Sequence, residues 1–473
     1  MPPAFLYKGA VTTPLQDRAQ LDHTRLDCAR LDRLGLVLAV FALLMAPLGL
    51  LADKAVVPLA LAAALAGGVA AGPQALPWRV LDRSLAATVG LLTAWCLVAS
   101  AWSFHPLAAA ALALRVGVLL VALLYLAGLA QRLEEAQRRR VRLAFCLGFV
   151  VTVLVLAVEL AFGGPILTLL RGAAGSDYAT ASRLNRGVSA TAILVWPLAA
   201  LLWQRGLRWL ALAVPPAVLG FILLSQSSAS VLALGAGVLA AMLAGLGRPL
   251  ARPLARPLAR AVMALAVVVT LFGSPFAAGL AQQAGLTAVD WLPATAQYRL
   301  HIWTVVSDRI AQRPLVGWGF DASPDLPAQD DQPFRPRDKI IPSHPHNGAL
   351  QIMVETGLVG SLLTLALLWL LARRIDALAP APRACAAAML VTVLGIAATA
   401  YGLWQSHWLA MIGAAAALFI AVLPAAGRQE VDSGGLGSAP PGDAWQRRPS
   451  APRLLAKGSG RSGAPGAREE TNR

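Results

Sequence analysis

"SHPHNGALQIMVETGLVGS", residues 343–361, joins a polar turn to an apolar run. His344 and His346 flank Pro345, and Asn347 follows. Pro345 cannot continue a helix and Asn347 is a good N-cap, so a helix is predicted to start near Gly348. The apolar run extends to about Leu371. A hydrocarbon core about 30 Å thick needs about 20 such residues, so this helix is of membrane grade. It nevertheless carries a carboxylate, Glu355, and two glycines three apart, Gly357 and Gly360.

The rest of the chain has the same character. Of 473 residues, 57% are hydrophobic and only 14% charged, with a mean hydropathy of +0.64. A soluble fold of this length could not hide so much apolar surface, and the richness in Ala and Leu suits helices better than strands. The reading is an all-α polytopic membrane protein. The formal charge of +16 raises the question of nucleic acid. The arginines, however, sit in short connections between apolar runs, so membrane topology accounts for them and no nucleic-acid partner is expected. Cys28, Cys96, Cys146 and Cys385 are far apart and show neither zinc-like spacing nor a disulfide framework.

Spans are predicted at 34–51, 55–71, 84–102, 107–130, 142–163, 187–204, 208–225, 229–247, 260–279, 348–371, 384–402 and 407–425, about twelve in all. Every alternate connection is basic: Arg79 and Arg83, "QRLEEAQRRRVR", Arg205 and Arg208, "RPLARPLARPLAR", then Arg373, Arg374 and Arg383. The intervening "SFHPLA" and "SQSS" carry no arginine. This positive-inside pattern puts both termini in the cytoplasm. The organisation is then a cytoplasmic N-terminal segment (1–33), nine spans (34–279), one long outer loop containing helices (280–347), three spans (348–425) and a disordered cytoplasmic tail (426–473).

Inside the long loop, "AQYRLHIWTVVSDRIAQRP" has helical periodicity. Arg299, Trp303, Val306 and Ile310 share a face, Ile302 lies beside them and Asp308 opposite. Two readings fit: an interfacial helix with its arginine among lipid headgroups, or a cation held over a lipid-linked anion. "PLVGWGFDAS", residues 314–323, reads as a tight turn with an interfacial aromatic. His346, at the positive end of the helix dipole, is expected to stay neutral, the state a general base needs. Arg115, Glu159 and Glu355 lie within apolar runs near the outer side, where ionisable groups pair or line a cavity. An Arg115 ion pair with Glu159 or Glu355 is one expectation, an outward-opening polar cavity the other. His344-x-His346 with Asp321, Asp325, Asp330 or Asp331 is a conceivable divalent-ion set.

Four blocks in order resemble the O-antigen ligase and O-antigen polymerase superfamily: "SRLNRG", "LSQSSASVLAL", "YRLHIWTVVSDRIAQRPLVGWGF" and "HPHNGALQIMVETGLVGS". The last carries His346 and Asn347, nine residues, then Gly357-x-x-Gly360. The resemblance covers about Arg183 to Ser361 and is closest to the ligases. It implies a fold like the C-type glycosyltransferases. It also implies transfer of a glycan from undecaprenyl pyrophosphate to lipid A–core oligosaccharide, on the periplasmic face of the bacterial inner membrane, with no cofactor or metal. The family's essential histidine falls on His346 and its pyrophosphate-holding arginines on Arg186 and Arg299. Asn347, His344, Asn185, Arg115 and Glu355 are the supporting candidates. The family often has an arginine after the serines of the second block; this chain has none between Ser225 and Ser230, so those serines stay outside the expected site. Two alternatives remain: a polymerase with the same donor and a growing polysaccharide as acceptor, and a transporter of lipid-linked sugars.

Overall fold

Helices account for the regular structure, because a chain surrounded by lipid must satisfy each backbone N–H and C=O internally. In the computed structural model the described residues are 28–171, 177–250, 255–268, 294–327 and 343–425, with isolated positions 273, 279–280, 283–285 and 341. The segment before 28, parts of the basic linker and of the long loop (Asp330 and Asp331 among them), and the tail beyond 425 lie outside the described residues. The described residues all fall within one unit, Met1–Ala426.

The helices are α1 (Cys28–Leu51), α2 (Val56–Ala71), α3 (Arg83–Ala99), α4 (Pro106–Gln131), α5 (Glu135–Ala161), α6 (Asp177–Gln204) and α7 (Arg208–Ile222), then α8 (Ser228–Leu250), α9 (Ala255–Val268), α10 (Ala294–Gln312), α11 (Gly348–Asp376), α12 (Pro380–Ala397) and α13 (Ser406–Val422). Each predicted span overlaps one of them, that at 260–279 through residues 260–268, the rest of it lying largely outside the described residues. Among the described residues eight segments are long and apolar enough to cross a membrane; α7, the Ser228–Ala244 part of α8 and α13 are shorter apolar helices. Caps follow the sequence: Asp82 accepts from the N–H groups of Ser84 and Leu85 at the start of α3, and prolines open α4 and α12. Small residues let helices meet closely. Where α1 crosses α5, a Cβ on Gly148 would stand 2.3 Å from the Leu43 carbonyl oxygen.

The arginine-bearing connections gather at one end of the bundle. Arg374 pairs with Asp82, Arg260 with Asp376, and Arg132 donates to the Arg79 carbonyl. Two arginines of "QRRRVR" do more than mark a side. Arg138 and Arg142 are buried, and their guanidinium groups take the last carbonyls of α13, at Ile420, Val422 and Leu423, with distances of 2.7 to 3.0 Å. They satisfy the last-turn carbonyls of α13, of which Ile420 also accepts the Leu423 N–H at 3.3 Å.

The apolar face of α10 packs on protein. Ile302, Val306 and Ile310 are buried against Leu350 and Val354 of α11, so α10 is not an interfacial helix lying on lipid. The α11 helix also differs from one uninterrupted span. Gly357 has φ 65° and ψ −161°, a break inside the helix. Before the break, Gly348 to Thr356 are buried on nearly every side; after it, Leu358, Val359 and Leu362 are exposed.

The turn predicted at 314–323 docks into this break. The N–H groups of Trp318 and Gly319 donate to the Val354 and Glu355 carbonyls (2.7 and 3.1 Å). The N–H groups of Leu358 and Val359 donate to the Pro314 and Leu315 carbonyls (2.9 and 3.4 Å). Trp95 Nε1 takes the Thr356 carbonyl at 2.9 Å. Five backbone groups at the break thus find partners outside the helix, as burial demands. Gly357 therefore breaks the helix and admits a second backbone; it does not serve helix–helix packing.

Candidate active site

The end of the bundle opposite the arginines holds the polar side chains. The His344-Pro345-His346 turn is built by its own residues. His346 has φ +56°, a left-handed conformation uncommon for a non-glycine residue. The His344 ring holds that turn by accepting the His346 N–H on Nδ1 at 3.1 Å. Trp303 Nε1 donates to the Pro345 carbonyl at 3.0 Å, tying the turn to α10. Asn347 caps α11 as predicted, its Oδ1 accepting from Ala349 and Leu350.

The His346 ring faces the connection between α12 and α13. Its Nδ1 stands 2.9 Å from the Ala400 carbonyl oxygen. A carbonyl only accepts, so Nδ1 carries the proton and Nε2 keeps its lone pair. Burial holds the His346 imidazole below the usual histidine range, and the Arg299 charge pushes in the same direction against the Ala400 hydrogen bond. Burial also lowers His344, to about 3, helped by His346, Arg299 and His407. Both rings are thus neutral near pH 7. His344 is a structural acceptor, and His346 is the ring with a basic nitrogen to spare.

Arg299 lies on α10, close enough for its charge to act on both histidines. Arg186, on α6, lines a separate cleft with Asp53, Ser189, Tyr401, His407 and Trp408. Its Nη1 donates to Asp53 Oδ2 at 2.7 Å, which engages one of the guanidinium's five donors. Ser189 Oγ meets Tyr401 Oη at 3.0 Å and Ser230 Oγ at 2.8 Å, and Ser227 donates to Ser230 at 2.8 Å. Burial pushes the Tyr401 phenol up to about 12, so it stays a neutral donor. Asn185 enters this network through its carbonyl, which accepts from Ser189 at 2.9 Å. Ala400 and Tyr401 are chain neighbours, so one connection carries both the anchor of His346 and a wall of the Arg186 cleft.

The remaining carboxylates differ from expectation. Glu355 is fully buried and, among the described residues, has no cationic partner. It accepts from Ser323 Oγ (2.5 Å), Trp404 Nε1 (2.6 Å), the Asp321 N–H (3.0 Å) and Gln351 Nε2 (3.1 Å). Four neutral donors fill its acceptor sites, so no ion pair is needed. Glu159 Oε1 accepts from the N–H groups of Ile166 and Leu167. Arg115 pairs with neither; it is exposed on α4, and its charge opposes the upward shift that burial and Asp325 impose on Asp321. Glu355 is already occupied by donors of its own neighbourhood; Glu159 is held through Oε1 alone, and its buried Oε2 has no hydrogen-bond partner among the described residues. Among the described residues no group of three or more His, Cys, Asp or Glu converges as a metal-ligand set.

The sequence reading missed Asp53, Ser189, Gln351, Tyr401 and Trp404. Asp53 carries a weak signal, a carboxylate directly after the first apolar run. Ser227 and Ser230, which it set aside, belong to the polar network beside Arg186.

Residues 216–365 match the O-antigen ligase family. The O-antigen ligase match begins within α7 and takes in Ser227, Ser230, Arg299, the histidine turn and the break in α11. A Rickettsia prowazekii protein named "Putative polysaccharide ligase" is 25% identical over 323 residues, covering 67% of this chain and 76% of its own length. A Rickettsia bellii protein of the same name is 27% identical over 327 residues, covering 68% and 76%. No solved structure matches the chain.

Proposed function

We propose that this O-antigen ligase-like chain is an inverting, metal-independent glycosyltransferase. It moves a glycan from undecaprenyl pyrophosphate to lipid A–core oligosaccharide at the periplasmic face of the inner membrane. The observation that carries this reading is the His346 tautomer. With Nδ1 bound to Ala400, Nε2 accepts the proton of an acceptor hydroxyl, whose oxygen attacks the anomeric carbon. The bond to the pyrophosphate breaks and its electron pair leaves with the phosphate. Arg299 and Arg186 counter the charge that grows there. In Arg186, Asp53 takes one donor and leaves the other face of the guanidinium for phosphate oxygens. The collection of arginines at the opposite end of the bundle supports a periplasmic site with cytoplasmic termini.

The test is transfer by the purified full chain, supplied with undecaprenyl-pyrophosphate-linked glycan and lipid A–core. The expected product is glycosylated lipid A–core, formed only when that acceptor is present. Long chains without the acceptor would instead establish the polymerase. Movement of labelled lipid across vesicles without transfer would establish a transporter.

The pH profile gives a second check. His346 is held below the ordinary histidine pKa of about 6.5. The base form is then complete at pH 7, and the rate should fall only below the ordinary histidine range. In Arg299→Gln a positive neighbour is removed and protonation becomes easier. The acidic limb of kcat should therefore move up in pH, alongside a raised KM for the donor. A limb that stays in place would remove Arg299 from the surroundings of the base.

A further inference from the structure

The mechanism gives Glu355 no role, yet it is the most heavily hydrogen-bonded side chain near the site. Its links lead back to the base. The connection between α12 and α13 is fastened to α11 at two adjacent residues. The Leu403 N–H donates to Gln351 Oε1 at 2.8 Å, and Trp404 Nε1 donates to Glu355 Oε2 at 2.6 Å. On the other side of Ala400, the chain is held by its own helix end, with the Ala400 N–H on the Ile396 carbonyl at 2.9 Å. Between the two fastenings, Gly402 lies so close to the His344 ring that a Cβ there would meet it at 2.8 Å. The Ala400 carbonyl has little freedom, and it is what fixes His346.

We infer that Glu355, acting through Gln351 and Trp404, is a positioning residue that sets the tautomer of His346. This rests on the proposed role of His346 as base. The logic is one of donors and acceptors. The Leu403 N–H can only donate, so the Gln351 amide must turn its oxygen toward Leu403 and its NH2 toward Glu355. Trp404 has only a donor, and Glu355 receives it. The same carboxylate holds the Asp321 N–H and Ser323 hydroxyl, so the docked turn and the α12–α13 connection share one anchor. A glutamine at 355 would present an NH2 to groups that themselves donate, and the arrangement would lose its centre.

The test uses the full chain, labelled with 15N-histidine, in nanodiscs. His346 resonances are assigned by their loss in His346→Gln. In the wild type, Nδ1 should be protonated and Nε2 bare. Trp404→Phe keeps the ring beside Phe320 but removes the donor; Gln351→Leu removes both links of the amide. In each, His346 should show a mixture of tautomers, and kcat should fall about tenfold at unchanged donor KM, the scale of one lost hydrogen bond. A role confined to stability would leave the tautomer of the folded protein untouched. Should one variant fail to insert, the other carries the test. A single Nδ1–H tautomer with unchanged kcat in the inserted variants would overturn the inference. Should His346→Ala keep full transfer while the tautomer still responds to Trp404→Phe, the base role falls and the positioning relation stands.

Discussion

Replacing His346 with Ala is expected to lower glycan transfer by about 10²–10⁴-fold, the share that a positioned general base contributes. The expectation follows from the ring's surroundings. Nδ1 is committed to the Ala400 carbonyl and the other neighbouring imidazole, His344, is already used as an acceptor. No second neutral base stands in the same turn to take over. The loss should appear in kcat more than in donor KM, since the proton moves in the transition state. Membrane insertion and thermal stability of the variant, measured beside transfer, separate this from misfolding. Near-normal transfer by an inserted, stable His346→Ala protein would end the general-base assignment.

Gly357→Ala should be the most damaging single-methyl addition. The φ of 65° with ψ of −161° is a conformation essentially reserved for glycine, and other residues held in such regions cost about 1–3 kcal/mol. A Cβ at 357 would also lie 2.3 Å from the Leu315 carbonyl oxygen. Across the contact, Gly317 has φ +71°, and its Cβ would meet the Glu355 backbone at 2.6 Å. Each backbone occupies the space of the other's missing side chain, so neither can move aside alone. The variant should melt well below the wild type and lose transfer, because the docked turn also carries the Asp321 and Ser323 partners of Glu355. Gly90, in α3, is the contrast: a Cβ there meets nothing within 4 Å, and Gly90→Ala should be neutral or slightly stabilising. Equal melting temperatures for the two variants would remove the special status of the break.

Local signals carried far. Pro345 and Asn347 announced the start of α11, and the cap forms as predicted, because capping depends on residues within one turn. The periodicity of residues 296–314 announced α10 and its buried stripe, though not what would cover it. The spans could be read from runs of apolar residues, since length and polarity are properties of the chain itself. The resemblance selected His346, and the structure places its Nδ1 on the Ala400 carbonyl, the contact on which the proposed base role rests.

Partners distant in sequence were not legible. Glu355 looked like half of an ion pair, because a sequence shows a carboxylate in an apolar run but not the four donors that meet it. The glycine pair at 357 and 360 has the spacing of helix packing; only the tertiary contact with residues 314–319 shows one of them as a break. Arg186 and Asp53 are separated by four helices, α2 to α5, before they meet. The sequence by itself determined where the long apolar helices and the histidine turn lie, because hydropathy, caps and turns act over a few residues. The tertiary structure alone decided which ring nitrogen is bare, which carboxylate is saturated and where the helix opens, because each depends on donors and acceptors brought together by packing.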